Sequence, residues 1–152
     1  GNSFSIYYDD VKTMSFLAEI EYDLTKRFSI TTQAQYHQYT ITNAFTEWNL
    51  PSVEALLSAK YKAEKWFATT DVFYLSERKD AIYNAQYPSS LKGMEIINSF
   101  VDVNLNGGYH FNDKFSTFIK INNLLNNQYQ RFANFDTQGL QVLGGITYKF
   151  DF

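Results

Sequence analysis

The feature that most constrains this chain is a two-residue alternation sustained along nearly its whole length. From Met14 to Leu24, one face reads Met14, Phe16, Ala18, Ile20, Tyr22 and Leu24, and the other reads Ser15, Leu17, Glu19, Glu21 and Asp23. Period two places successive side chains on opposite faces of a strand, whereas a helix would scatter these charges around its circumference. The pattern recurs at Phe28–Tyr36, Val53–Tyr61, Val101–Phe111, Phe115–Ile121 and Leu140–Phe150, and less cleanly at Trp66–Glu77. Phe4–Tyr8 suggests one more strand. In each segment one face carries no charge. The chain therefore reads as all-β, with about eight strands of roughly 9–13 residues. Strands in globular sheets have a mode of about 5–6 residues, but a tilted strand crossing a bilayer needs about 9–11.

Connections alternate in length. Thr25-Lys26-Arg27, Glu64-Lys65 and Asn112-Asp113-Lys114 are tight and polar, while residues 43–51, 80–96 and 126–139 are long. This describes an antiparallel up-and-down meander of the outer-membrane barrel type, whole or as a barrel fragment, with short turns on one side and long loops on the other. The 152 residues suffice for one domain spanning 1–152.

Composition narrows the function. Aromatic residues make up 18% of the chain and charged residues 19%, with a formal net charge of -3. Aromatic richness excludes a disordered chain, and the negative charge without a basic cluster argues against nucleic-acid binding. With no Cys there is no disulfide framework, thiolate metal site or Cys nucleophile. No cofactor or metal is expected. Asp9-Asp10 lacks the spacing of a calcium loop.

Alternation alone does not say which face is inside. Three features favour uncharged face outward, toward lipid. Aromatics flank the tight turns on that face (Tyr22, Phe28, Tyr61, Trp66, Tyr109, Phe111, Phe115, Tyr148 and Phe150), as an interfacial girdle does. Its middle is small, at Ala18, Ala34, Ala59, Ala68 and Gly144, which would fill a soluble core poorly. The last strand alternates to Tyr148, Phe150 and Phe152, a pattern suited to a C-terminal assembly signal.

The stretch from Phe118 to Tyr129, with Asn123-Leu124, Asn126-Asn127 and Tyr129, then Gly139 and Tyr148-Lys149-Phe150, resembles the end of TonB-dependent outer-membrane receptors. Leu50-Pro51 opening a strand that ends in Tyr61 is similar as well. The resemblance is close over the last third and rests on pattern elsewhere. It implies the C-terminal portion of a larger barrel in the Gram-negative outer membrane, importing a scarce solute such as a metal chelate, vitamin or glycan. The implied partners are outer-membrane lipid, the barrel assembly machinery, a plug domain and TonB-type energy coupling through an N-terminal part. Family barrels have about 22 strands around a plug, and the plug motifs have no counterpart here.

The residues expected to face the lumen are Glu19, Glu21, Asp23, His37, Lys60, Lys62, Asp71, Glu77, Asp102, His110, Lys120 and Lys149, either tuning passage or pairing charges across strands. Trp48, Tyr83, Tyr87, Phe132 and Phe135 are the loop aromatics able to stack on a ligand, although such residues more often pack loops onto a rim. No catalytic motif is present and the chain is not expected to be an enzyme, although Ser58 and Ser116 share the polar face with His37 and His110. Three alternatives stand beside the receptor: a complete small eight-stranded barrel with a structural or adhesive role, a soluble lipocalin-like binder, and a barrel enzyme. If Leu57, Val103 and Ile146 point into a closed cavity, the membrane orientation fails.

Overall fold

The structure is a computed structural model that describes residues 10–42, 46–83 and 91–150. Seven strands form one antiparallel sheet: β1 (Val11–Thr25), β2 (Phe28–Ile41), β3 (Val53–Lys62), β4 (Trp66–Leu75), β7 (Phe100–His110), β8 (Phe115–Asn122) and β11 (Gln141–Tyr148). The long connection between β4 and β7 is itself a two-stranded ribbon, β5 (Arg78–Tyr83) with β6 (Leu91–Ile97). That between β8 and β11 carries a smaller one, β9 (Gln130–Phe132) with β10 (Phe135–Asp136). Sheet order is β1-β2-β3-β4-β7-β8-β11, so each sheet strand pairs with the sheet strands before and after it along the chain. This is the expected meander, with β1 and β11 at its two edges. The suggested strand at Phe4–Tyr8 lies outside the described residues.

The tight turns fall at one end, as the spacing requires. At the first, Thr25 Oγ1 accepts hydrogen bonds from the backbone N–H groups of Arg27 (3.2 Å) and Phe28 (3.0 Å). At the third, Asn112 Oδ1 accepts from Lys114 N (3.0 Å) and Phe115 N (2.9 Å). Each side chain closes its own turn two and three residues on, which is why Thr and Asn stand there.

Register decides the faces. Ala18 opposes Ala34, Ala34 opposes Ala55, Ala55 opposes Tyr74, and Tyr74 opposes Val101. Another row runs Ile30, Ala59, Thr70, Leu105, Ile121 and Val142. The uncharged sets of the separate segments thus join into one surface, since a one-residue slip would have moved any strand's set to the other face. Aromatic contacts gather near the turns: Tyr61 stacks on Trp66 at 4.7 Å, Phe111 on Phe115 at 4.9 Å, and Tyr148 meets Phe150 edge-on at 4.9 Å.

Burial is inverted relative to a water-soluble sheet. Ile146 is 72% exposed, Ile20 67% and Leu57 43%. Along β2 the uncharged positions Thr32, Ala34 and Tyr36 are exposed, while Thr31, Gln33, Gln35 and His37 are half-buried. Among the described residues the buried hydrophobics are Ile97 and Phe100, and the buried polar residues are Ser58, Ser76, Arg78 and Asn123.

Candidate functional site

The expected lumen residues of the strands share the polar face. Glu19 opposes Gln33 and accepts its amide hydrogen bond. Glu21 opposes Thr31, and Asp23 opposes Ser29. Lys60 sits between Ser29 and Thr69, Lys62 opposes Phe67, and Lys120 lies between Asn106 and Leu143. Asp71 accepts from the Ser58 hydroxyl at 2.6 Å. Asp102 Oδ2 accepts from Asn104 Nδ2 and from the Tyr129 hydroxyl, both at 3.2 Å. Glu77 lies in the link between β4 and β5, and Lys149 follows β11, its N–H donating to Lys114 O at 2.9 Å.

Charge pairing across the wall is not what the structure shows. Register sets Glu19, Glu21, Asp23, Asp71 and Asp102 opposite amides, hydroxyls or Phe73, none opposite a lysine. The single ion pair among the described residues, Lys79 with Glu47 at 3.2 Å, is in the loops. The wall charges are spread among neutral hydrogen-bonding neighbours, which sequence cannot foresee without register.

His37 Nδ1 is 2.8 Å from Ser15 Oγ, and His110 opposes Ser116. The serine beside His37 is therefore not one of the two that sequence singled out. Among the described residues no group of three His, Cys, Asp or Glu side chains could hold a metal ion.

The densest polar assembly lies at the loop end, around a residue that sequence reasoning passed over. Arg78 is 3% exposed. Its Nε donates to Asn49 Oδ1 at 2.8 Å, Nη1 to Ser76 O at 3.3 Å and Nη2 to Gln130 O at 2.8 Å. The guanidinium carbon is 5.7 Å from the Phe100 ring centroid. Phe100 stacks face to face on Tyr129 with centroids 3.9 Å apart. Burial pushes the Arg78 pKa down, with Asp80 pulling it up and Arg131 adding to the depression. Burial, followed by the Asp102 carboxylate, raises that of Tyr129. The available signal was Arg78 standing among Glu77, Lys79 and Asp80, which reads as a solvated charge run.

Directly after β8, Asn123 is 4% exposed and has positive φ (49°). Its Nδ2 donates to Asn127 O (2.9 Å) and Gln138 O (3.1 Å), and its Oδ1 accepts from Asn127 N (3.0 Å). Asn126, at φ 51°, accepts from Leu140 N at 2.9 Å. The Asn-Leu-Leu-Asn stretch thus closes the β8–β11 connection, because Asn tolerates the left-handed region and offers both donor and acceptor.

Of the loop aromatics, Trp48 makes a backbone bridge to Lys79, and Phe132 and Phe135 oppose one another on the β9–β10 ribbon. Tyr83 pairs with Leu91 along the backbone. Tyr87 lies outside the described residues, as does Phe152, so the last-strand pattern is described only through Tyr148 and Phe150. A cleft of about 620 Å³ runs between the β6–β7 corner and residues 127–130, lined by Glu95, Asn98, Gln128, Tyr129 and Asp136 among others.

No protein-family model matches this chain, and no curated protein does. Solved structures do. The ferripyoverdine receptor of the Pseudomonas aeruginosa outer membrane, bound to ferripyoverdine, superposes with a TM-score of 0.76 at 17% identity over 93% of this chain. The siderophore receptor PirA from Acinetobacter baumannii gives 0.74 at 14% identity over 90%, and PiuA from the same organism 0.69 at 17% over 91%. This chain spans about a fifth of each: 20% of the first and 22% of the other two. These neighbours are TonB-dependent siderophore receptors, so the family that the sequence resembles is also the one whose architecture the chain shares: its fold is that of a section of the barrel wall of outer-membrane receptors.

Proposed function

We propose that the chain is a section of barrel wall from a TonB-dependent receptor in a Gram-negative outer membrane, a transport protein and not an enzyme. Its uncharged face meets lipid and its polar face lines the lumen. The intact protein imports a scarce solute: a metal chelate, vitamin or glycan. The carrying observation is the inverted burial on the interior strands β2 and β3, where Ala34, Tyr36 and Leu57 are exposed while Gln33, Gln35 and His37 are half-buried and Ser58 is buried. A soluble binder would hide Leu57 and Ile146 in an apolar cavity, and water would make such a surface an aggregation site. Lipid reverses that cost.

Placement at the C-terminal end of the barrel rests on the resemblance of residues 118–150. Insertion by the assembly machinery then reads Tyr148, Phe150 and Phe152, and a plug domain with TonB-type coupling belongs to other segments of the protein. The lumen carboxylates and lysines face that plug. Trp48, Phe132 and Phe135 belong to the external loops that receive the solute, together with Tyr83 and Tyr87.

The test is uptake by intact cells of the source bacterium, with and without the gene encoding this chain. Radiolabelled iron chelate, corrinoid and oligosaccharide are compared with and without collapse of the proton-motive force. Loss of energy-dependent uptake of one class, with the protein in the outer-membrane fraction, supports the reading. Unchanged uptake of all three, or protein in the soluble fraction, refutes it.

A further inference from the structure

Arg78 does more than fill space at the base of β5. Its three nitrogens reach acceptors on three different stretches of chain: Asn49 in the β2–β3 connection, Ser76 in its own link, and Gln130 at the start of β9. The two residues after it repeat the pattern. Asn49 N donates to Lys79 O at 2.6 Å, and Ala133 N donates to Asp80 Oδ2 at 2.7 Å. Three consecutive residues thus hold both neighbouring loops.

The energetic consequence follows from burial. The guanidinium is 3% exposed, and its charge is met by neutral oxygens rather than by a salt bridge. A buried charge that loses an acceptor keeps its desolvation cost without compensation. If one loop departs, Arg78 either stays buried with a donor unsatisfied or leaves, releasing the other loop as well. We propose that Arg78 is a positioning residue that locks the β2–β3, β4–β7 and β8–β11 loops into one unit, so that this part of the rim rearranges as a block rather than loop by loop. Lysine cannot substitute, because a single ammonium does not present three divergent donors in a fixed plane. The inference goes beyond the transport reading and stands whichever solute is carried.

Hydrogen exchange on the intact protein in detergent micelles tests it. Arg78→Met and Arg78→Lys are each expected to raise exchange at 46–50 and at 130–137 together, by about tenfold or more, with sheet amides 54–61 unchanged. A rise confined to 76–80, or an equal rise in the sheet, overturns the proposal. Asn49→Gly, which keeps the left-handed backbone of that position (φ 53°), gives a second reading that does not depend on the Arg78 variants folding. It removes one acceptor and touches nothing at Gln130. Faster exchange at 130–137 in that variant supports the lock, and a rise restricted to 46–50 overturns it.

Discussion

The Phe67 ring occupies the space in which a side chain at Gly108 would stand: a Cβ there would lie 2.5 Å from Phe67 Cε1 and 2.8 Å from Cζ. The two residues are register partners on the polar face of β4 and β7. The arrangement repeats on the next strand pair, β8 with β11, where a Cβ at Gly145 would lie 2.6 Å from Phe118 Cε1 and Cζ. Rings on the polar face thus lie over glycine backbone. Gly108→Ala is expected to displace the ring and cost about 1–3 kcal/mol, the usual range for overpacking. The same change in a Phe67→Ala background costs less. A double-mutant cycle by urea unfolding from lipid vesicles measures the difference, and equal costs in both backgrounds would sink the idea.

Asn123 combines a left-handed backbone with three side-chain hydrogen bonds. Asn123→Gly keeps the conformation and loses the bonds. Asn123→Ala loses both. The expected losses are about 2–3 kcal/mol for Gly and about 1 kcal/mol more for Ala. Thermal unfolding of both variants provides the ranking, and an Ala variant as stable as the Gly variant contradicts the backbone part of the account.

Two groups in the connections between sheet strands set opposite pH limits on the loops. The Glu47 carboxyl is held below its usual range, first by its own backbone N–H, against an opposing push from burial, with Lys79 and Thr46 adding to the depression. Its folded pKa lies below the unfolded one, so its contribution is complete above about 4.5 and is lost as pH falls through the folded value. That contribution stays under about 1 kcal/mol, because both partners of the ion pair are more than a third exposed. Tyr129 is shifted upward, so its contribution is complete below pH 10 and is lost as pH rises through the folded value. Tyrosinate absorbance should show late-titrating phenol whose amplitude falls by one tyrosine in Tyr129→Phe.

The face assignment predicts an asymmetry between neighbouring wall positions. Leu57 is on the uncharged face and Gln35, opposite Glu54, is on the polar one. Leu57→Arg is expected to cost about 2–4 kcal/mol in a bilayer, and Gln35→Arg close to nothing. Folding yield into vesicles, read by protease protection, distinguishes them. Equal tolerance of both would reverse or abolish the orientation.

Much of this was legible in the chain itself. The two-residue period in segments such as Met14–Leu24 and Leu140–Phe150 marked strands and their two faces, because a strand's side chains must alternate, but not their ends, since β1 runs to 15 residues and β11 to 8. Thr25 and Asn112 marked tight turns, because their side chains can bond their own following N–H groups. Tertiary structure decided what depends on register and on distant neighbours. It joined the separate uncharged sets into one surface, set the polar-face carboxylates opposite amides, hydroxyls or a phenyl ring rather than lysines, and turned two long loops into ribbons. It also buried Arg78. No local pattern distinguishes that arginine from the charged residues beside it, since its three acceptors come from positions as far away in the chain as Asn49 and Gln130. A period is written in consecutive residues, but the partners of a buried charge exist only once the chain has folded around it.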